Sequence, residues 1–399
     1  MADRTLRIGV AGLGRGFMLM LPGLVADRRV ALVASADPRP EARARFAAEF
    51  GGRAYGDVEA LCADAEVEAV YVATPHQFHA RHAVAAAGAG KHVLVEKPMA
   101  LTLDECRAMT DAARAAGVHL IVGHSHSFDA PIARTRALIA SGVHGRLRLI
   151  TALNFTDFVY RPRRPEEMDA AAGGGAVFSQ GAHQVDIARL LAGGRAKSVR
   201  ATVGDWDAQR PTEGAYAAFV DFGDGVAATL SYSGYDHFDS DELTGWIGET
   251  GGAKASDRHG AARRRLRQVA GPAAEAALKA ARGLGGGAAA PAAGPRHHEH
   301  FGFLIASCEK ADLRPLPDRV LIYGDDGLRA ERLAPPAVPR AEVIDELYGA
   351  VVEGRTPVHT GAWAMATLEL CLAIRRSAAE RREIALERQV GLAGDGAKP

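Results

Sequence analysis

Five short apolar runs punctuate the first 123 residues: Leu6 to Ala11, Val30 to Ala36, Ala69 to Ala73, His92 to Glu96 and His119 to Gly123. Among them Pro40 to Phe50, Phe78 to Gly88 and Leu103 to Ala116 carry the spacing of helices. Runs such as Val70-Tyr71-Val72-Ala73 are apolar at every position, so both faces must be covered. A parallel sheet flanked by crossover helices meets that demand, and few other arrangements do.

Beyond residue 124 the texture changes. Leu147 to Asn154, Ser198 to Trp206, Ala215 to Phe222 and Val226 to Tyr235 alternate apolar and polar residues, with one helix, Ala182 to Leu191, among them. Alternation predicts a mostly antiparallel sheet with one buried face. The chain is therefore read as α/β with two domains: residues 1–123 with a parallel sheet, and residues 124–387 as an α+β unit. Residues 251–296, rich in Gly, Ala and Arg, are read as a flexible surface insertion with a short helix at Ala273 to Ala281. Arg340 to Glu353 and Gly361 to Arg382 are amphipathic closing helices.

Composition narrows the partners. Lysine plus arginine and aspartate plus glutamate both number 48, so there is no cationic footprint for nucleic acid or an anionic membrane. The run Arg263-Arg264-Arg265-Leu266-Arg267 lacks interleaved aromatics and is read as a solvated face. No apolar run nears the roughly 20 residues of a membrane span, and Met1-Ala2-Asp3-Arg4 leads straight into a strand, so a cytoplasmic location is expected. The scattered Cys62, Cys106, Cys308 and Cys371 are read as reduced core residues.

Gly12-Leu13-Gly14-Arg15-Gly16-Phe17 follows the first strand and opens a helix. This is the context of a Rossmann phosphate loop: Gly12 permits the tight turn, Gly14 lets the backbone approach a pyrophosphate, and helix N–H groups meet its charge. Phe17 occupies the third glycine position. Asp37 ends the second strand, where a carboxylate receives the ribose hydroxyls and repels a 2′-phosphate. NAD is thus expected over NADP, with Arg39 close enough to soften the choice.

Ala73-Thr74-Pro75-His76-Gln77-Phe78-His79, then Gly90-Lys91-His92-Val93-Leu94-Val95-Glu96-Lys97-Pro98, resembles the signature of the Gfo/Idh/MocA oxidoreductases. Gly174-Gly175-Ala176-Val177-Phe178-Ser179-Gln180-Gly181-Ala182-His183-Gln184-Val185-Asp186 resembles that family's second-domain motif. The resemblance runs from Leu6 to about Leu386, with the basic insertion outside it. It implies that Thr74, Pro75 and His79 line the coenzyme channel, and that Glu96 and Lys97 lie where the nicotinamide meets substrate. Lys97, at a strand end beside a cationic ring and partly desolvated, would give up its proton readily.

In the second-domain motif the family's Asp stands four residues before the His; here that position is Ser179, which cannot be a carboxylate base. Acid–base work then falls to His183 and Lys97, with Asp186 an orienting or structural partner. His126, Ser179, Gln180 and the proline-stiffened Arg161, Arg163 and Arg164 are the expected substrate contacts, since arginine forks suit carboxylates. No metal site is expected: His124 and His126 point to opposite sides of a strand end, and His297-His298-Glu299-His300 is read as a solvated loop.

The stretches His124 to Asp129, Tyr160 to Pro165, Phe178 to Gln180 and Tyr232 to Tyr235 are similar to those of phthalate 4,5-cis-dihydrodiol dehydrogenases within the family. That resemblance implies hydride transfer from a dihydrodiol dicarboxylate to NAD, giving the catechol 4,5-dihydroxyphthalate. The alternatives are a sugar or inositol dehydrogenase, a family glycosidase using bound NAD transiently, and an inactive dinucleotide sensor. Polyol enzymes would want the carboxylate that Ser179 replaces and have little use for three arginines; a sensor would not need Lys97 and His183. An open sheet face in the second domain suits a homo-oligomer.

Overall fold

The computed structural model describes residues 4–123, 125–169, 173–287 and 296–392. The chain forms two compact units. The first comprises Met1–His124, Ala273–Ala292 and Ala337–Met365; the second comprises Ser125–Pro272, Ala293–Pro336 and Ala366–Pro399.

In chain order the first 123 residues give β1 (Leu6–Ala11), α1 (Arg15–Ala26), β2 (Val30–Ala36), α2 (Pro40–Phe50), β3 (Arg53–Tyr55), α3 (Val58–Cys62), β4 (Ala69–Val72), α4 (His79–Gly88), β5 (His92–Val95), α5 (Leu103–Ala116) and β6 (Leu120–Val122). The sheet order is β3-β2-β1-β4-β5-β6, and every pairing is parallel. β1, β4 and β5 are buried almost throughout, which explains why their sequences are mostly apolar at successive positions. Helix ends follow local chemistry: Thr102 and Glu105 form a reciprocal capping box on α5, and α2 starts on Pro40 and stops at Gly51 in the left-handed region. The strand order reverses between β1 and β4, and in open α/β sheets such a reversal opens the crevice where ligands bind. β3 and α3 were not foreseen, being too short to show a period.

The remaining elements are α6 (Ala130–Ala140), β7 (Leu147–Phe155), α7 (Ala182–Ala192), β8 (Ser198–Gly204), β9 (Ala215–Gly223), β10 (Val226–Ser233), α8 (Ala261–Leu266), α9 (Gly271–Ala280), β11 (Phe303–Cys308), β12 (Ala311–Leu316), β13 (Arg319–Gly324), β14 (Gly327–Arg332), α10 (Ala341–Val352), α11 (Gly361–Glu380) and β15 (Ile384–Ala385). Nine strands form one sheet in the order β14-β13-β12-β11-β7-β10-β9-β8-β15. All its pairings are antiparallel except β7 with β10. Tyr216, Ala218 and Val220 of β9 point inward, while Ala217 and Phe219 between them are exposed. α7 is buried along its length from Ala182 to Leu191.

In the described part of 251–296, α9 forms where a short helix is expected and most residues lie at the surface, while Leu284 beyond it is buried with its N–H donating to the Leu13 carbonyl at 2.9 Å. One segment differs from its sequence reading. His298, Glu299 and His300 are buried rather than solvated. The loop is tucked in because its polar groups are paired: His298 Nε2 meets the Ala334 carbonyl at 2.8 Å, His300 Nε2 the Ile247 carbonyl at 2.8 Å, and the His300 N–H donates to the Glu249 carbonyl at 3.2 Å.

Candidate active site

The first unit builds a dinucleotide cradle. Gly12 has φ +92, and a Cβ there would lie 2.8 Å from the Ala73 carbonyl oxygen, so β1 and β4 can come this close only through glycine. A Cβ on Gly14 would meet nothing within 4 Å, which leaves open space at the N-terminus of the 12-residue α1. Arg15 begins that helix, and Gly16 faces the Glu96 side chain. An open glycine turn at a helix N-terminus fits a pyrophosphate. Leu13 and Phe17 are instead fully buried, the Phe17 ring 6.4 Å from that of Phe46, so their side chains fix the loop and only their backbones can serve a ligand.

Asp37 is already engaged. Its Oδ2 accepts from the Leu13 N–H at 2.8 Å and its Oδ1 from Arg39 Nε at 2.9 Å. Burial pushes the carboxyl up, but the bonds from Arg39 and Leu13 outweigh it and hold the pKa below the usual range. The carboxylate therefore stays ionised, paired with the cation expected to soften its selectivity.

At the C-terminal end of β5, Tyr71, fully buried in β4, donates its hydroxyl to Glu96 Oε1 at 2.6 Å. Burial raises the Glu96 pKa despite Arg340, Tyr71 and Lys97. Lys97 follows, half-buried, and its bond to Pro98 is cis. His79 is fully buried. Its Nδ1 lies 2.9 Å from the Pro98 carbonyl and its Nε2 2.8 Å from the Thr74 carbonyl, so it ties the Thr74-Pro75 turn to the Lys97-Pro98 turn.

The second unit assembles a histidine cluster. Val177–Gly181 winds as a π-helical turn before α7, a distortion often found at functional sites. It carries Ser179, half-buried, and Gln180, buried with its Oε1 lacking a hydrogen-bond partner among the described residues. His183, one turn on, is 4.6 Å from the His126 ring and 4.9 Å from the Phe301 ring, centroid to centroid. His126 Nδ1 sits 2.7 Å from Asp129 Oδ2, and its Nε2 lies 3.6 Å from Glu249 Oε1. Burial alone would lower the His126 pKa, yet Asp129 and Glu249 raise it to about 9. His124 lies outside the described residues.

Asp186 serves the packing of α7. It accepts from Ser127 Oγ and, at 2.7 Å, from Thr367 Oγ1, and so fastens α7 in place. Sequence reasoning missed Glu249, which lies outside every motif and supplies a carboxylate beside His126 where Ser179 cannot.

The three arginines have different tasks. Arg161 is spent on Asp157 at 2.6 Å and Glu249 at 3.1 Å, a carboxylate pair that occupies its fork. Arg164 turns to Glu167, to which it donates its backbone N–H at 2.9 Å. Arg163 lies 3.8 Å above the Phe158 ring and donates to the Phe158 carbonyl at 2.8 Å, and burial pulls its pKa down to about 10, with Glu167 offsetting part of the loss. In the basic run Arg264, Arg265 and Arg267 are exposed as expected, while Arg263 is half-buried and stacks on the Tyr160 ring at 4.2 Å.

Residues 6–124 match the model of an oxidoreductase family with an NAD-binding Rossmann fold, and residues 132–254 match that of a GFO/IDH/MocA C-terminal domain. The 1-carboxy-3-chloro-3,4-dihydroxycyclohexa-1,5-diene dehydrogenase of Comamonas testosteroni is 50% identical over 372 residues, 92% of this chain and 94% of that protein. An inositol 2-dehydrogenase from Saccharopolyspora erythraea is 35% identical, over 47% of this chain and 54% of its own. A dehydrogenase structure from Bordetella bronchiseptica superposes with a TM-score of 0.90 at 40% identity, covering 96% of this chain and 100% of that one. Among the described residues no helix is long and apolar enough to cross a membrane.

Proposed function

The chain belongs to the Gfo/Idh/MocA oxidoreductase family and is a dehydrogenase, and from that premise we propose that it oxidises a carboxylated cis-dihydrodiol with NAD. The specific substrate proposed is phthalate 4,5-cis-dihydrodiol and the product 4,5-dihydroxyphthalate. The observation that carries this reading is the 50% identity, across nearly the whole of both chains, to a dehydrogenase of a carboxylated cyclohexadienediol.

Bound NAD supplies a hydride acceptor at its nicotinamide C4. The residues proposed to hold it are Gly12, Gly14, Arg15, Gly16 and the backbone of Leu13 and Phe17 at the pyrophosphate, Asp37 at the ribose, and Thr74, Pro75, Glu96 and Lys97 toward the nicotinamide. As one carbinol carbon loses its hydride, its hydroxyl proton must leave, and Lys97 or His183 takes it. The resulting enone loses a ring proton and gains an enol O–H, becoming the catechol. Aromatisation favours this direction, so positioning is the enzyme's main task. His126, Ser179, Gln180 and Arg163 are the proposed substrate contacts; the buried Oε1 of Gln180 is an acceptor suited to a hydroxyl.

The test is a set of turnover assays reading nicotinamide absorbance with the phthalate dihydrodiol, a monocarboxylated dihydrodiol, myo-inositol and glucose. Oxidation of the carboxylated diols alone is expected, and equal turnover of myo-inositol would replace this reading with the polyol one. NAD should exceed NADP by at least about tenfold in kcat/KM, a difference of only about 1.4 kcal/mol. Asp37→Ala should erase that preference. Equal use of both coenzymes by the parent would mean that Arg39 cancels the carboxylate.

A further inference from the structure

His126, His183 and Glu249 come from three distant parts of the sequence, yet one ligand atom of each lies within 4.8 Å of the others. The surroundings aim these atoms at a common point. Asp129 grips Nδ1 of His126 at 2.7 Å, which turns Nε2 toward Glu249. Nδ1 of His183 accepts the His126 backbone N–H at 3.4 Å, which fixes the two residues side by side. Arg161 holds Oε2 of Glu249 at 3.1 Å and so presents Oε1 to the histidines. Both imidazoles are buried, and the Phe301 ring packs against them at 5.2 and 4.9 Å.

We propose that His126, His183 and Glu249 form a binding site for one first-row divalent cation of the zinc, cobalt or ferrous class. Two imidazoles and a carboxylate are a ligand set these ions favour, and three protein ligands leave a position open for an oxygen ligand. With bonds of about 2.1 Å, tetrahedral geometry puts donors roughly 3.4 Å apart, so the ion draws the trio inward slightly. Asp129 and Arg161 are the outer partners that orient two of the three ligands. A second grouping, His126 with Asp129 and Glu299, is less suited, because Asp129 already uses its oxygen on the same Nδ1. The site stands on this geometry alone. Only its consequence rests on the diol reading: a hydroxyl of the substrate entering the open position would be acidified, and His183, once a ligand, would no longer serve as the base.

The experiment is Co²⁺ titration of chelator-treated full-length protein, read by visible ligand-field absorption and by metal content after gel filtration. One equivalent of Co²⁺ giving low-symmetry bands, displaced by Zn²⁺, is expected. His183→Ala and Glu249→Gln should abolish the bands, and Asp129→Asn should weaken affinity about 10- to 100-fold, with NAD binding retained in each as the check of folding. Lack of bands in a parent that binds NAD, or bands unchanged in both ligand variants, overturns the site. Metal binding without diol oxidation would overturn the proposed function and leave the site standing; diol oxidation by metal-free protein that takes up no Co²⁺ does the reverse.

Discussion

Lys97→Met should lower kcat for the carboxylated diol by about 10²- to 10⁴-fold, the range that a positioned acid or base supplies. The methionine keeps the unbranched stem and removes only the ammonium, so the turn after β5 should survive. That turn is held by groups other than Lys97: His79 spans the Thr74 and Pro98 carbonyls, and Tyr71 anchors Glu96. NAD affinity, read by quenching of protein fluorescence, should therefore stay near the parent's. The split between an intact coenzyme Kd and a collapsed kcat separates proton handling from folding. Should kcat be nearly unchanged, Lys97 has no place in the mechanism and His183 must act alone.

The architecture was largely legible in the sequence because its signals are local. β1 and β2 carry mostly apolar runs, and α2 carries its own start and stop residues, so their boundaries coincide with those predicted. β3 and α3 were missed because so few residues show no period. Within the site, the glycine turn and Lys97 were found through contiguous motifs, while Glu249 was not. Its role comes from tertiary packing that brings it to His126 and Arg161, and no spacing along the chain encodes that meeting. The same reason hides the pairing of His126 with His183: spacing along the chain sets His126 beside His124, whereas the ring packed on it belongs to His183, over fifty residues away. The arginine cluster was legible as a cationic segment, but only packing divides its members between structure and solvent.

That division sharpens the largest binding effect to be expected. Arg163→Ala should raise KM for a carboxylated diol by about 30-fold or more, since losing one partner of a desolvated charge pair costs about 2 to 5 kcal/mol. Arg163 stacks on the Phe158 ring and donates to the Phe158 carbonyl, and burial has already weakened its hold on the proton, so an arriving carboxylate would stabilise it. Arg164→Ala should stay within about 0.5 kcal/mol of the parent, as partly exposed residues do. Arg161→Ala should behave differently from both. It would strip Asp157 and Glu249 of their shared cation and release Glu249 from its aim at His126, so kcat should suffer with every substrate, charged or not. Steady-state kinetics of the three variants on a carboxylated and an uncharged diol will distinguish these outcomes. Arg163→Ala should leave the uncharged diol untouched. If its KM for the carboxylated substrate also stays at the parent value, the carboxylate is gripped elsewhere and the assignment of Arg163 fails.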